Sequence, residues 1–445
     1  MVSSLQTVEV SPVAPREVVG WLRHYDWGTM PGKLRVIQVV LVLGLAIAGA
    51  VGVYAAIARV SATVDIAEHL EPLNANVTTL YRSLADADAT VAAGYLSGGL
   101  EPTEMQIRYG RDIEAATASL AQASTQTDGE LVTAKRIADI TSELPTYTGL
   151  VERARVNNRQ GLAVGVSYLR RASDRMQDAI LPAAAELQRR QATRLDDAYH
   201  RAGSVHFVAL AVGGISLAGL IWAQAFLFQR THRVFNIGLV TASGALLAGL
   251  AWWTIAGVVS TNSLDRALGH SQSVSDALAP AQIAALQARA VESLELVTRT
   301  AGPNEPDFDA QMQLLDRDNG AGGALGAAQH FATDQQGVGL VREAVTDARD
   351  YVAAHRQVRQ LDDAGDYTQA VDAAVNPHHP GAAATFDRLD LALTAAADHE
   401  RAAFTGDIGG AHSWLTGLPI GTGGLALVAV VGVTWGVQRR LEEYR

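Results

Sequence analysis

The chain of 445 residues contains no cysteine. Disulfides and thiolate metal sites are therefore excluded. Charge is scarce as well: only 18% of residues are Asp, Glu, Lys or Arg, and the balance is acidic, a net −11. An acidic chain lacks the basic patches that nucleic acid requires, so no nucleic-acid partner is expected. No stretch alternates with strand period, which argues against any sheet.

What the chain has instead is apolar sequence, 48% hydrophobic with a mean hydropathy of +0.09. That is apolar for a soluble protein and too polar for a transporter built mostly of membrane spans. Four runs, Leu34–Ile57, Val205–Phe228, Phe235–Val259 and Trp414–Val437, are each long enough to cross a bilayer, which takes about 20 helical residues. The first run contains Ala56-Ile57-Ala58, a signal-peptidase-like pattern. Its leader of 33 residues exceeds the usual charged region before a signal peptide, so an uncleaved anchor in the lipid bilayer is expected.

Basic residues set the expected orientation. Arg23, Lys33 and Arg35 precede or open the first span; Arg230, His232 and Arg233 fill the link between the second and third; Arg439, Arg440 and Arg445 follow the fourth. All three clusters fall on one side, which is read as the cytoplasm. The N-terminal tail 1–33, the loop 229–234 and the C-terminal tail 438–445 are then cytoplasmic, while segments 58–204 and 260–413 lie outside. This is a multi-pass protein of the cell membrane with both termini inside.

Span, outer segment, span occurs twice, and landmarks recur at a fixed offset. Glu101-Pro102 returns as Glu305-Pro306, Tyr147 as Tyr351, and Gly161 as Gly365, each 204 positions later. Within the first outer segment Ile66, Leu70, Leu73, Val77, Leu80, Leu84 and Val91 step by three or four residues, the spacing of an amphipathic helix. Further helices are expected over Met105–Ala121, Gly129–Asn157 and Gly161–Tyr199. In the second segment they are expected over Thr261–Thr300, Pro306–Asp318, Gln335–Leu361 and Tyr367–Phe404. The fold class is therefore all-α: four transmembrane helices carrying two tandem extracytoplasmic four-helix bundles. The first bundle helix is expected to continue out of its span from Leu34 to Tyr95, interrupted chiefly near Pro72. Small residues such as Gly44, Ala48, Gly52, Gly214, Gly244, Gly417, Gly421, Gly432 and Gly436, four apart on the spans, suit close helix approach.

Chemistry-bearing motifs are thin. His378-His379 between Pro377 and Pro380 reads as an exposed turn, and His399-Glu400 sits on a helix; neither is taken as a metal site. The Gly320–Gly326 run lacks the strand and lysine of a phosphate loop and reads as a flexible connection. Arg82, Arg108, Arg111, Arg153 and Arg155 have the guanidinium chemistry to hold a carboxylate, yet suit solvated helix faces better. No catalytic, cofactor, metal or ligand residue is assigned, and no enzymatic activity is expected. No span carries an ionisable residue at mid-depth, which disfavours an ion-coupled transporter. The short cytoplasmic tails offer no room for a kinase, so a chemical output requires another polypeptide. Trp21, Leu22, Tyr25 and Trp27 in the leader suit the lipid interface or a docking contact.

Two stretches carry a resemblance: Tyr25–Arg35 (YDWGTMPGKLR) and Leu80–Thr90 (LYRSLADADAT). With the four-span plan, they make the chain resemble the GlnX-type family of actinobacterial membrane proteins. More distantly, the bundles resemble the four-helix sensor domains of bacterial chemoreceptors and histidine kinases. The resemblance implies two partners, an extracytoplasmic amino-acid-binding (solute-binding) lipoprotein and a cytoplasmic Ser/Thr kinase, protein kinase G. It also implies a function, relaying aspartate or glutamate availability from the first to the second. The competing expectation is a scaffold of the cell envelope without a signalling role. Ligand, effector, oligomeric state (homo-oligomer included) and the receiving bundle are left open by the residues themselves.

Overall fold

The computed structural model describes residues 30–98, 101–126, 131–204, 206–231, 236–299 and 305–442. The leader aromatics Trp21 to Trp27, the link at 232–234 and the tail beyond 442 lie outside the described residues.

Every named element is helical, and among the described residues the only β feature is one bridge between Arg317 and Gly322. The chain runs α1 Met30–Asp65, α2 Glu71–Leu96, α3 Thr103–Thr125, α4 Leu131–Arg159, α5 Val164–Arg175, α6 Leu181–Ser204 and α7 His206–Thr231. It continues α8 Ile237–Gln272, α9 Ala279–Thr298, α10 Glu305–Leu315, α11 Gly323–Phe331, α12 Gln335–Asp363, α13 Tyr367–Val375, α14 Ala382–Leu415 and α15 Leu418–Glu442. Four helical runs are long and apolar enough to cross a membrane: Leu34–Leu96, Val208–Gln229, Ile237–Thr298 and Ala382–Arg439.

Three π-helical turns, Ile66–Leu70, Met176–Ile180 and Ser273–Leu278, join α1 to α2, α5 to α6 and α8 to α9 without breaking the helix. In each case the π turn ends two residues before a proline: Pro72, Pro182 and Pro280. Proline lacks an N–H and crowds the carbonyl one turn back. Widening that turn moves the carbonyl away, and the residue before each proline bonds five residues back, as Glu71 N–H does to Ile66 O. The expected interruption at Pro72 is thus a register adjustment inside one helix, Met30 to Leu96.

The chain divides into two compact units. One comprises 1–57, 206–256 and 417–445, the apolar helical runs. Its core includes Leu45, Leu220, Leu239, Ala242, Ala429 and Val433. Glycine matters most where α8 meets α15: a Cβ on Gly238 would collide with the Gly432 carbonyl and the Gly436 backbone. Gly52 abuts Thr422 and Gly421 abuts Trp252, so these expected packing glycines do face another helix. Gly44, Gly214 and Gly244 have no other atom within 4 Å of where a Cβ would sit, although the Gly44 carbonyl lies 3.5 Å from Ser216 Oγ of α7.

The other unit comprises 58–205 and 257–416, both outer segments together. The two segments pack together as one body. A single apolar core joins Val77, Leu84, Ile140 and Leu187 of the first to Leu286, Val345, Phe386 and Leu393 of the second. Helices α2 and α9, which occupy equivalent places in the repeat, pack against each other. That is the arrangement of a two-fold dimer fused into one chain. A second cluster, Ile66, Leu195, Tyr199, Leu264, Phe404 and Ile408, draws on the four helices that lead toward the apolar runs. Gly161 and Gly365 both adopt positive φ, 67° and 81°, as helix-ending glycines should.

Two expectations fail in the second segment. The Gly320–Gly326 run is not a loose connection: Gly323 (φ 71°) turns the chain into α11, which buries Leu325 and Ala328 completely. A glycine-rich spelling concealed a short helix whose alanine and leucine face the core. The expected helix Tyr367–Phe404 is two helices, α13 and α14, because Pro377 and Pro380 cannot continue one.

Candidate functional site

Along α2 the apolar stripe Val77, Leu80, Leu84, Val91 carries one carboxylate, Asp88, at a position that faces the core. It is 3% exposed. A buried carboxylate needs donors. Its Oδ2 accepts from Ser173 Oγ at 3.0 Å and Gln177 Nε2 at 3.1 Å, and its Oδ1 lies 3.5 Å from the Tyr147 hydroxyl. Ser173 and Gln177 reach the same carboxylate from α5 and from the π turn that follows it. No cation stands among these partners. Burial therefore dominates, and pushes the Asp88 carboxyl up to about 6, with the three hydrogen bonds pulling the other way.

The second segment repeats the pair. Glu292 lies 204 positions after Asp88, the offset that relates Tyr351 to Tyr147. The Tyr351 hydroxyl donates to Glu292 Oε2 at 3.2 Å, and both tyrosines are fully buried. Around Glu292, however, the partners are basic: Arg289 Nη1 at 2.7 Å and His355 Nδ1 at 2.8 Å. Phe308 stacks on His355 with centroids 3.6 Å apart, and Arg289 lies over the Phe386 ring. Burial alone would raise the Glu292 carboxyl; the His355 bond and the Arg289 charge outweigh it and hold the group below the ordinary carboxylate range. One repeat thus keeps its acid among neutral donors, and the other sets the Arg289 cation against it.

Between the halves runs an ionic seam. Arg108 pairs with Asp86 at 2.9 Å and with Asp390 of α14 at 3.3 Å, while Arg82 reaches Asp390 at 3.2 Å and Thr394 at 3.0 Å. Burial raises Asp86, against the pull of Arg108. Nearer the second core, Glu71 accepts from Ser271 at 3.4 Å, and burial lifts its carboxyl to about 7. His270 Nδ1 sits 2.5 Å from Glu400 Oε2, a bond that raises the imidazole.

Of the arginines singled out in the sequence, Arg82 and Arg108 belong to this seam. Arg155 pairs with Glu101 and Glu152, each at 2.8 Å, and Arg111 and Arg153 are exposed. His399 and Glu400 point to different partners, Asp334 and His270. His379 bonds Asp372 at 2.7 Å in an exposed turn. Among the described residues no group of three or more His, Asp or Glu is placed to hold a metal ion. Asp88 and Glu292 were missed in the sequence, although the signal was present: an acid interrupting an apolar stripe, repeated at the offset that had paired the tyrosines.

Residues 62–200 match the actinobacterial sensor domain family. The matched stretch, 139 of 445 residues, contains the whole Asp88 constellation and ends before the second apolar run. No curated protein and no solved structure matches the chain. The match, with four membrane-capable helices, supports a sensor-type, multi-pass membrane protein of actinobacterial kind.

Proposed function

We propose that the chain is a non-enzymatic transmembrane signal transducer. An extracytoplasmic nutrient signal, amino-acid supply presented by a solute-binding lipoprotein, is relayed to a cytoplasmic Ser/Thr kinase. The observation that carries the relay is the uninterrupted helix Met30–Leu96, which holds both an apolar run of membrane length and the core acid Asp88. Packed helices shift by one or two ångströms as rigid bodies, so a helix without a hinge can pass such a shift along its length. The run Ile237–Thr298 does the same for the second half.

The test is a joint. Four glycines inserted between Ile57 and Ala58, where the two compact units divide, leave both cores intact. Kinase-dependent phosphorylation in cells should then stop following amino-acid supply, while expression and lipoprotein binding persist. The same insertion beside Gly365, an open turn at φ 81°, should be silent. Signalling unchanged by the Ile57 joint would leave a scaffold as the better account.

A further inference from the structure

At the end of the first half where α2 turns into α3 there is a cavity of about 460 Å³. Its size lies within the range of small-molecule sites, roughly 300–1,000 Å³. The walls carry both signs of charge. Arg155 donates through Nη2 to Glu101 Oε1 at 3.0 Å and through Nη1 to Glu152 Oε1 at 2.8 Å, with its Nε 2.8 Å from the other Glu101 oxygen. Its guanidinium also lies over the Tyr109 ring, 4.3 Å from the centroid, so its plane is fixed from two directions. A guanidinium has five N–H donors, and this one retains donors beyond those two bonds; each carboxylate likewise retains lone pairs. The amide of Asn158 and the exposed guanidinium of Arg159 complete the lining.

Space is kept for this pairing. A Cβ at Gly94 would lie 2.6 Å from Glu101 Oε1, so the glycine lets the carboxylate seat against α2. The other half does not reproduce the arrangement. Thr298 stands 204 positions after Gly94, and Arg359, the counterpart of Arg155, pairs within its own helix with Asp362 and Asp363 at 3.1 and 3.6 Å. A cavity maintained for packing alone has no need of two acids held on one stacked arginine. We propose that it binds a small zwitterion directly, the ligand's carboxylate meeting Arg155 and Arg159 and its ammonium meeting Glu101 and Glu152. The free α-amino acids are the class that fits. This deepens the sensing reading, on which it rests only for what binding would accomplish.

Calorimetric titration of the purified full chain in detergent tests it, with the L-amino acids added singly, and propionate and propylamine as one-charge controls. At least one amino acid should bind saturably, and the one-charge controls at least tenfold more weakly. The key variant is Gly110→Leu. Gly110 lines the cavity, and nothing lies within 4 Å of where its Cβ would sit. The Cβ of a leucine there meets no neighbour and its side chain occupies the cavity, so affinity should fall at least tenfold with no loss of thermal stability. The proposal is overturned by no saturable heat up to about 10 mM of any amino acid, an affinity weaker than about 3 kcal/mol. Binding that ignores Gly110→Leu overturns it too, by placing the ligand elsewhere, as does propionate binding equal to that of an amino acid. A chain that binds but fails to relay refutes the transducer, not the site; one that relays without binding does the reverse.

Discussion

Asp88→Asn isolates the cost of a carboxylate held without a cation. The Asp88 carboxyl rises from 3.8 to about 6, a difference worth about 3 kcal/mol between its protonated and ionised forms. Because the folded value is raised, the favourable contribution is complete below pH about 4 and is lost as pH climbs through about 6. Asparagine has no charge to lose. Its amide oxygen can still accept from Gln177 and Ser173, and the Tyr147 hydroxyl can rotate to receive its N–H. Wild type and variant should therefore diverge between pH 4 and 7, the variant becoming relatively more stable by about 3 kcal/mol. At about 2 °C per kcal/mol, the lower end for larger domains, that is about 6 °C in the melting midpoint. Circular dichroism of the full chain in detergent at pH 4.5, 6 and 7.5 reads it. The other shifted groups, among them Glu71 and Asp86 raised and Glu292 lowered, are present in both proteins and cancel in the difference. Parallel profiles with no divergence would refute a cation-free carboxylate core.

Glu292→Gln should behave in the opposite sense, since it strips the counter-charge from Arg289 in a site 1% exposed; a loss of about 3–5 kcal/mol at neutral pH is expected, read by the same melts. Topology can be checked on the cysteine-free background by placing cysteines at the exposed positions Arg153 and Asp363 and on the other side at Thr231. The first two should react with an impermeant thiol reagent on intact cells and the third should not; the reverse pattern would invert the orientation.

The long elements were legible because their physics is local. The 3.6-residue stripe from Ile66 to Val91, the charge-free runs and the 204-residue offset follow from periodicity and composition alone, and α2, α9 and the four membrane-capable helices answer to them. Short α11 was hidden because nine residues rich in glycine and alanine carry no periodic signal, and only Leu325 and Ala328 meeting the core make it a helix. The fusion of the two outer segments was hidden for a similar reason. Nothing in the pattern of α2 distinguishes a face buried in its own bundle from one buried against α9. Arg82 and Arg108 looked like solvated charges, because the acid that pairs with both, Asp390, lies more than 280 residues away.

The two halves differ where function is expected to differ. A duplicated domain kept only for docking has no reason to leave one core acid without a cation while surrounding its twin with Arg289, His355 and two phenylalanines. Buried ion pairs are costly to break, and they fix a single arrangement, so the Glu292 core suits a rigid frame. The Asp88 core, held by two hydroxyls and an amide, has weaker bonds to exchange. It lies on the same helix as Gly94, which makes room for the mixed-charge cavity a turn and a half away. A ligand that reorients Arg155 or Tyr109 there would act on α2 directly, against an α9 anchored by its own ion pairs. Signal reception is therefore expected in the first half, and the second half supplies the fixed surface against which α2 moves. Giving Asp88 the partners of its twin, with Ala85→Arg and Val151→His at the places 204 positions before Arg289 and His355, should make the halves alike and weaken the response without abolishing ligand binding.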